Sequence, residues 1–215
     1  MPMSPTPRTG AALALLSAAL LAPHAGGAQS NTESTQMYDE DRVARTSVEG
    51  KGARLEVAFD PDGDALAVRY RISNTGPAPL AVFDRGDRHA VLTKTLVAGD
   101  VPAPRFEEAD GGLVLSHAAR ALHIPSPTVP PVPLASRLAA GAALDGGFSF
   151  DLSLAGQAGR VRWCLGVAPF DAERFEASES VGDVAVWTAP FEMADAQQLL
   201  CTPWFDMAAG VFEAS

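Results

Sequence analysis

The chain has 215 residues, 47% of them apolar, and its 26 acidic against 16 basic side chains give a net charge of −10 and a pI near 4.7. That length holds one domain with a sizeable core, and so acidic a surface repels nucleic-acid phosphates and anionic lipid headgroups, which excludes both as partners. The 17 prolines and 19 glycines favour many turns over long helices, the composition of an all-β sandwich or barrel.

Residues 1–28 carry one cation, Arg8, then an uncharged, largely apolar run over 11–21 and a small-residue exit at Ala25, Gly26, Gly27 and Ala28. This is the layout of a secretory signal peptide, and its apolar centre is too short for a permanent membrane span. Cleavage is expected after Ala28, leaving a more acidic mature chain with no integral membrane segment. Residues 29–52 are polar and read as a flexible leader, with a first strand expected near 43–48. A β-sandwich domain is assigned to 53–215.

The segment 54–74 organises that domain. Leu55, Val57 and Phe59 alternate with polar or small neighbours, as do Leu66, Val68, Tyr70 and Ile72, the period of two that buries one face of a strand. Asp60, Pro61, Asp62, Gly63 and Asp64 supply the turn between them, so 54–74 reads as a β-hairpin. Strands follow over 80–84 and 90–97, separated by the turn Arg85-Gly-Asp-Arg-His. Asp110 and Gly111 mark a second hairpin between 105–109 and 113–117. Residues 124–134 hold five prolines in eleven residues and cannot donate a ladder of hydrogen bonds, so they form an edge strand or a polyproline crossing between sheets. Phe148, Phe150, Leu152 and Leu154 alternate cleanly and are expected in the core. Trp163 lies on the apolar face of a strand over 160–167, a capped helical turn is expected at 169–175, and late strands at 184–188 and 198–204 close the domain.

The run Tyr70-Arg-Ile-Ser-Asn-Thr-Gly-Pro-Ala-Pro-Leu-Ala-Val-Phe83, followed by Leu138-Ala-Ala-Gly and a Phe-x-Phe strand, resembles the Greek-key layout of bacterial immunoglobulin-like or fibronectin-like domains. Proteinase-inhibitor-type sandwiches of bacteria have a similar rhythm. The resemblance spans about residues 54–204 and implies an immunoglobulin-like antiparallel β-sandwich that binds or scaffolds; it brings no active-site residues.

Two cysteines, Cys164 and Cys201, in an exported chain meet an oxidising compartment and are expected to form a disulfide. Alternation puts Cys164 opposite Trp163, so the bridge is expected near the surface, not in the inter-sheet position of antibody domains. Three carboxylates at Asp60, Asp62 and Asp64 have a spacing that Ca²⁺ can use, without the distant bidentate Glu of a full calcium loop. His89, His117 and His123 could together ligate Zn²⁺ or copper, although their spacing fits no helix-borne motif. Ser116-His117 lacks the G-x-S-x-G elbow of an activated serine, and no phosphate loop occurs. Glu107 with Glu108, and Glu176 with Glu179, have odd spacings that send each pair to opposite faces of a strand. Trp204 is either a lid on the core or a partner contact.

The expectation is therefore a periplasmic or secreted cell-envelope protein without catalysis, cofactor or bound metal. It would meet a protein partner through loops at one end, chiefly residues 84–90 and the proline-rich crossing. The alternative is a small periplasmic metal-binding protein that uses the histidines or the Asp60–Asp64 turn.

Overall fold

The computed structural model describes residues 43–122, 125–155, 158–181 and 184–214, which include no helix long and apolar enough to cross a membrane. The expected signal peptide and residues 29–42 of the expected leader lie outside them.

Two β-sheets pack face to face. The first has the order β1-β2-β3-β8, from β1 (Ala44–Gly50), β2 (Ala53–Asp62), β3 (Ala65–Asn74) and β8 (Ala143–Asp151), every neighbour antiparallel. The strand expected near 43–48 is β1, which pairs along its whole length with β2. The central hairpin forms as its alternation requires. Leu55, Val57, Phe59, Leu66, Val68, Tyr70 and Ile72 are all buried, and Gly63, left-handed at φ 57°, turns the chain between the arms.

The second sheet is built around β9 (Arg160–Pro169). Val167 pairs with both Val82 of β4 (Leu80–Val82) and Gln198 of β12 (Gln198–Cys201), while Cys164 pairs with both Ser116 of β6 (Gly112–His117) and Cys201. β4 and β6 therefore leave the same edge of β9, end to end, and the sheet forks there. One prong continues from β4 to β7 (Leu134–Leu138), β11 (Val184–Thr188) and β10 (Glu176–Val181); the other continues from β6 to β5 (Arg105–Ala109). The opposite edge of β9 holds β12 and β13 (Phe205–Asp206), and β14 (Val211–Phe212) pairs with β13. The β6–β9 pairing is parallel, an exception in an otherwise antiparallel fold.

Aromatic contacts run across the interface between the sheets: Phe59 on Phe205, Tyr70 on Trp163, His117 on Phe148 and Phe106 on Phe150, with ring centroids 4.8–5.3 Å apart. A second cluster covers the far face of the β4 prong, where Ala81, Phe83, Ala135 and Ala168 pack with Phe175 and with Met193 of α2 (Met193–Ala196). Covered on both faces, β4 is apolar throughout.

Cys164 and Cys201 form a disulfide between the adjacent strands β9 and β12. Thr202 N donates to Trp163 O, which makes 163/202 a hydrogen-bonded pair and leaves the cysteines in the closer, non-bonded pair beside it, Cα atoms 4.0 Å apart. The bridge stays within one sheet, as expected. Cys164 is nevertheless buried, because the segment after β6 and the Gln197 side chain cover that face of β9.

Two local expectations are corrected and a third holds. The strand expected over 90–97 is a short helix, α1 (Arg88–Leu92), because Asp87 Oδ1 accepts a hydrogen bond from Ala90 N and caps it. Leu154 is 61% exposed, since Asp151 accepts from both Ser153 N and Ser153 Oγ and β8 ends in a 3-10 turn at Leu152–Ala155. The capped helical turn expected at 169–175 is present: Phe175 N donates to Asp171 O, closing a single turn, and Asp171 Oδ1 accepts from Glu173 N.

Candidate functional site

Where the second sheet forks, the two prongs leave an open cleft of about 730 Å³, within the range of ligand-binding sites. Phe83 and Gly86 at the end of β4, Pro102 and Arg105 leading into β5, His117 at the end of β6, and Pro133 before β7 all line it. Both loops expected at a binding end contribute, and they are tied together. Arg88 N donates to Val132 O and Leu134 N to Gly86 O, each at 2.9 Å, and Asp87 bridges to Pro133. Gly86 is required at this junction. Its φ is 72°, and a Cβ there would lie 2.8 Å from Leu96 Cδ2.

Beneath the cleft lies a buried polar group that fixes its wall. Asp84 is 0% exposed and Arg85 5%, with Arg85 Nε 3.2 Å from Asp84 Oδ1. Ser136 Oγ donates to Asp84 Oδ1 at 3.0 Å and accepts from Arg85 Nε at 2.6 Å, while Tyr70 Oη donates to Asp84 Oδ2 at 2.7 Å. Arg85 Nη1 donates to Gly99 O at 2.7 Å, which anchors the loop between α1 and β5. A buried ion pair is tolerable only when its remaining donors and acceptors are satisfied, and these partners do that. Burial, reinforced by the Asp84 charge, holds the Tyr70 hydroxyl far above its ordinary pKa, so it stays a donor.

His117 closes the floor. The Trp163 indole N–H, which can only donate, points at His117 Nδ1 from 3.0 Å; Nε2 therefore carries the proton and donates it to Pro102 O at 2.9 Å. Burial pushes the imidazole pKa below its ordinary value against the opposing pull of the Pro102 carbonyl. Both ring nitrogens are spent inside the protein. The ring acts as a strut between β9 and the 93–104 loop, with neither nitrogen available to a metal or a substrate.

Of the remaining sequence candidates, His89 sits exposed on α1 and His123 lies outside the described residues. Asp60 faces Arg69, 3.6 Å away, and among the described residues no three His, Cys, Asp or Glu side chains come together as a metal site, at the Asp60–Asp64 turn or elsewhere. Glu107 and Glu108 are neighbours on β5, and Glu176 and Glu179 are three apart on β10. Trp204 is half-buried under the guanidiniums of Arg160 and Arg162, 4.6 and 4.5 Å from its ring centroid, and packs against Gly112. It is a lid on the β6–β9 junction.

No family model, curated protein or solved structure matches this chain. The cleft must be read from its own residues. Tyr70, Asp84, Arg85 and Ser136 escape a motif search because they come from three separate segments, although Tyr70 on an otherwise apolar strand face signals a hydroxyl in need of a partner.

Proposed function

We propose that this protein is an exported, non-catalytic binding module of the cell envelope, an immunoglobulin-like sandwich that holds a protein partner in the cleft between the prongs of its second sheet. The observation that carries this reading is the joining of residues 84–90 to the proline-rich crossing by Arg88 N to Val132 O and Leu134 N to Gly86 O, directly at a cleft with an internally braced floor. Preorganised loops on a rigid sheet are what recognition requires, since little ordering entropy is then lost on binding. The disulfide supports an oxidising compartment, and the apolar leader with its small-residue exit supports export. The internal bonding of both His117 nitrogens supports binding over acid–base chemistry.

The test is affinity capture from envelope extract at physiological salt, with Ala103→Trp as the control. Ala103 is exposed on the cleft wall, so a tryptophan there blocks the cleft without disturbing the core. Recovery of a specific protein by the wild type and its loss with A103W is the expected result. No recovered protein, or equal recovery by A103W, refutes the reading.

A further inference from the structure

The cleft is amphipathic in a specific way. Apolar side chains and prolines form its walls, and two arginines from different elements, Arg105 at the start of β5 and Arg120 on the crossing after β6, both line it. Six described arginines, Arg54, Arg69, Arg71, Arg85, Arg160 and Arg162, lie within 4 Å of a carboxylate, while Arg45, Arg88, Arg137 and Arg174 stand apart from one another without such a partner among the described residues, so what sets Arg105 and Arg120 apart is that both line one cleft. Among the described residues no carboxylate lies that close to Arg105 or Arg120. Asp87 also lines the cleft but commits one oxygen to capping α1, and Glu107 projects from the same face of β5 as Arg105 without pairing to it. The two guanidiniums are near enough to act on each other: crowding by the protein lowers the Arg105 pKa, and the Arg120 charge lowers it further. Asp87 opposes that shift only in part, as the least of the three influences and without coming within 4 Å of either guanidinium, so the two like charges keep capacity for a carboxylate from outside the fold.

The second observation is the edge beside them. β5 pairs with β6 on one side only, and no backbone group of residues 105–109 bonds outside that ladder among the described residues. All but the last of its five residues are exposed. An unpaired edge of this kind is a template for an added strand.

We infer that the partner enters as an extended acidic segment that adds to the free edge of β5, its carboxylates held by Arg105 and Arg120 and its alternate side chains directed into the cleft. This rests on the binding reading above and names the chemistry of the ligand. Main-chain bonding to β5 supplies affinity, and planar guanidiniums facing carboxylates supply specificity and register. The chain's net charge of −10 does not prevent this, because at physiological salt charges beyond about 8 Å are largely screened and the local pair dominates.

The test uses fluorescence anisotropy with a labelled peptide alternating Val and Asp, a matched peptide with Asn for Asp, and an N-methylated Val/Asp peptide that cannot form a ladder. Each is titrated into the full chain and into an Arg105→Gln/Arg120→Gln variant whose fold is checked by its melting temperature. The expected result is binding of the Val/Asp peptide, about tenfold weaker binding of the Asn peptide and of the R105Q/R120Q variant, and none by the N-methylated peptide. Equal binding of the Asp and Asn peptides, no change in R105Q/R120Q, or no binding of the Val/Asp peptide overturns the inference. So does displacement of the peptide by phenylacetate together with full binding of the N-methylated form, which would assign the cleft to a free organic acid. Capture from extract separates the two ideas: if it is blocked by A103W but unaffected by R105Q/R120Q, the binding reading stands and the acidic-segment inference falls.

Discussion

Asp84→Asn removes one charge from the fold's most deeply buried ion pair and keeps the side chain's shape. Asp84 is fully buried, accepts from Tyr70 and Ser136 and is ion-paired with Arg85, so the change leaves the Arg85 guanidinium, 5% exposed, without a counter-charge. Breaking a buried pair from one side costs about 3–5 kcal/mol, a large share of the about 5–15 kcal/mol that holds a domain together. With a urea slope of about 2 kcal/mol/M, the midpoint falls by roughly 2 M. Removing both charges, as Asp84→Leu/Arg85→Met, leaves only the Tyr70 and Ser136 hydroxyls and the Gly99 carbonyl short of partners, at about 1–3 kcal/mol. The double variant is therefore more stable than the sum of its single changes predicts, by about 2 kcal/mol or more. Urea unfolding at pH 7, followed by the fluorescence of buried Trp163, measures the wild type, D84N, D84L, R85M and the double variant. A D84N unfolding free energy within about 0.5 kcal/mol of wild type, or additive single changes, would refute the argument that the pair is a coupled, desolvated unit.

Three further outcomes are expected. Because burial depresses the His117 pKa, the unfolded chain takes up this proton first as pH falls below about 6.5. Stability is then lost at up to about 1.4 kcal/mol per pH unit, so between pH 7.5 and 5.0 the wild-type urea midpoint should fall further than that of His117→Gln; parallel curves would dismiss the strut. Opening the disulfide with Cys164→Ala/Cys201→Ala releases a loop spanning 37 residues, worth about 4 kcal/mol on the chain-entropy model, and an unchanged urea midpoint would contradict it. A Cβ on Gly146 would overlap the Tyr70 ring, so Gly146→Ala should cost about 1–3 kcal/mol and almost nothing in a Tyr70→Ala background, as a double-mutant cycle reads.

Wherever local pattern and final burial coincide, the sequence is sufficient to read the fold. The 54–74 hairpin, the Asp110-Gly111 turn and the strand bearing Trp163 lie where alternation and turn residues put them, with Asp110 and Gly111 both at positive φ. Residues 90–97 misled because Ala90-Val-Leu suits a strand as well as a helix, and the deciding contact is one capping bond from Asp87. The fork was illegible because strand partners are chosen by surface burial across long separations: β4 meets β9 across more than seventy residues of chain, and no residue of either announces it. The cleft was half-legible. Its two loops follow from their Gly and Pro content, while the Asp84–Arg85 anchor shows only as charge placed directly after the apolar run 80–83.

β9 pairs with four other strands, and among the described residues it is the ninth of fourteen strands to leave a chain made N-terminus first. The first sheet can close once β8 is made, but the β4–β7 and β5–β6 pairs stay separate, each with an open edge, until Arg160–Pro169 arrives to unite them. Such a delay favours slow, late assembly and makes the nascent chain vulnerable to aggregation, so biosynthesis is governed less by the early hairpin than by how promptly that one central segment emerges.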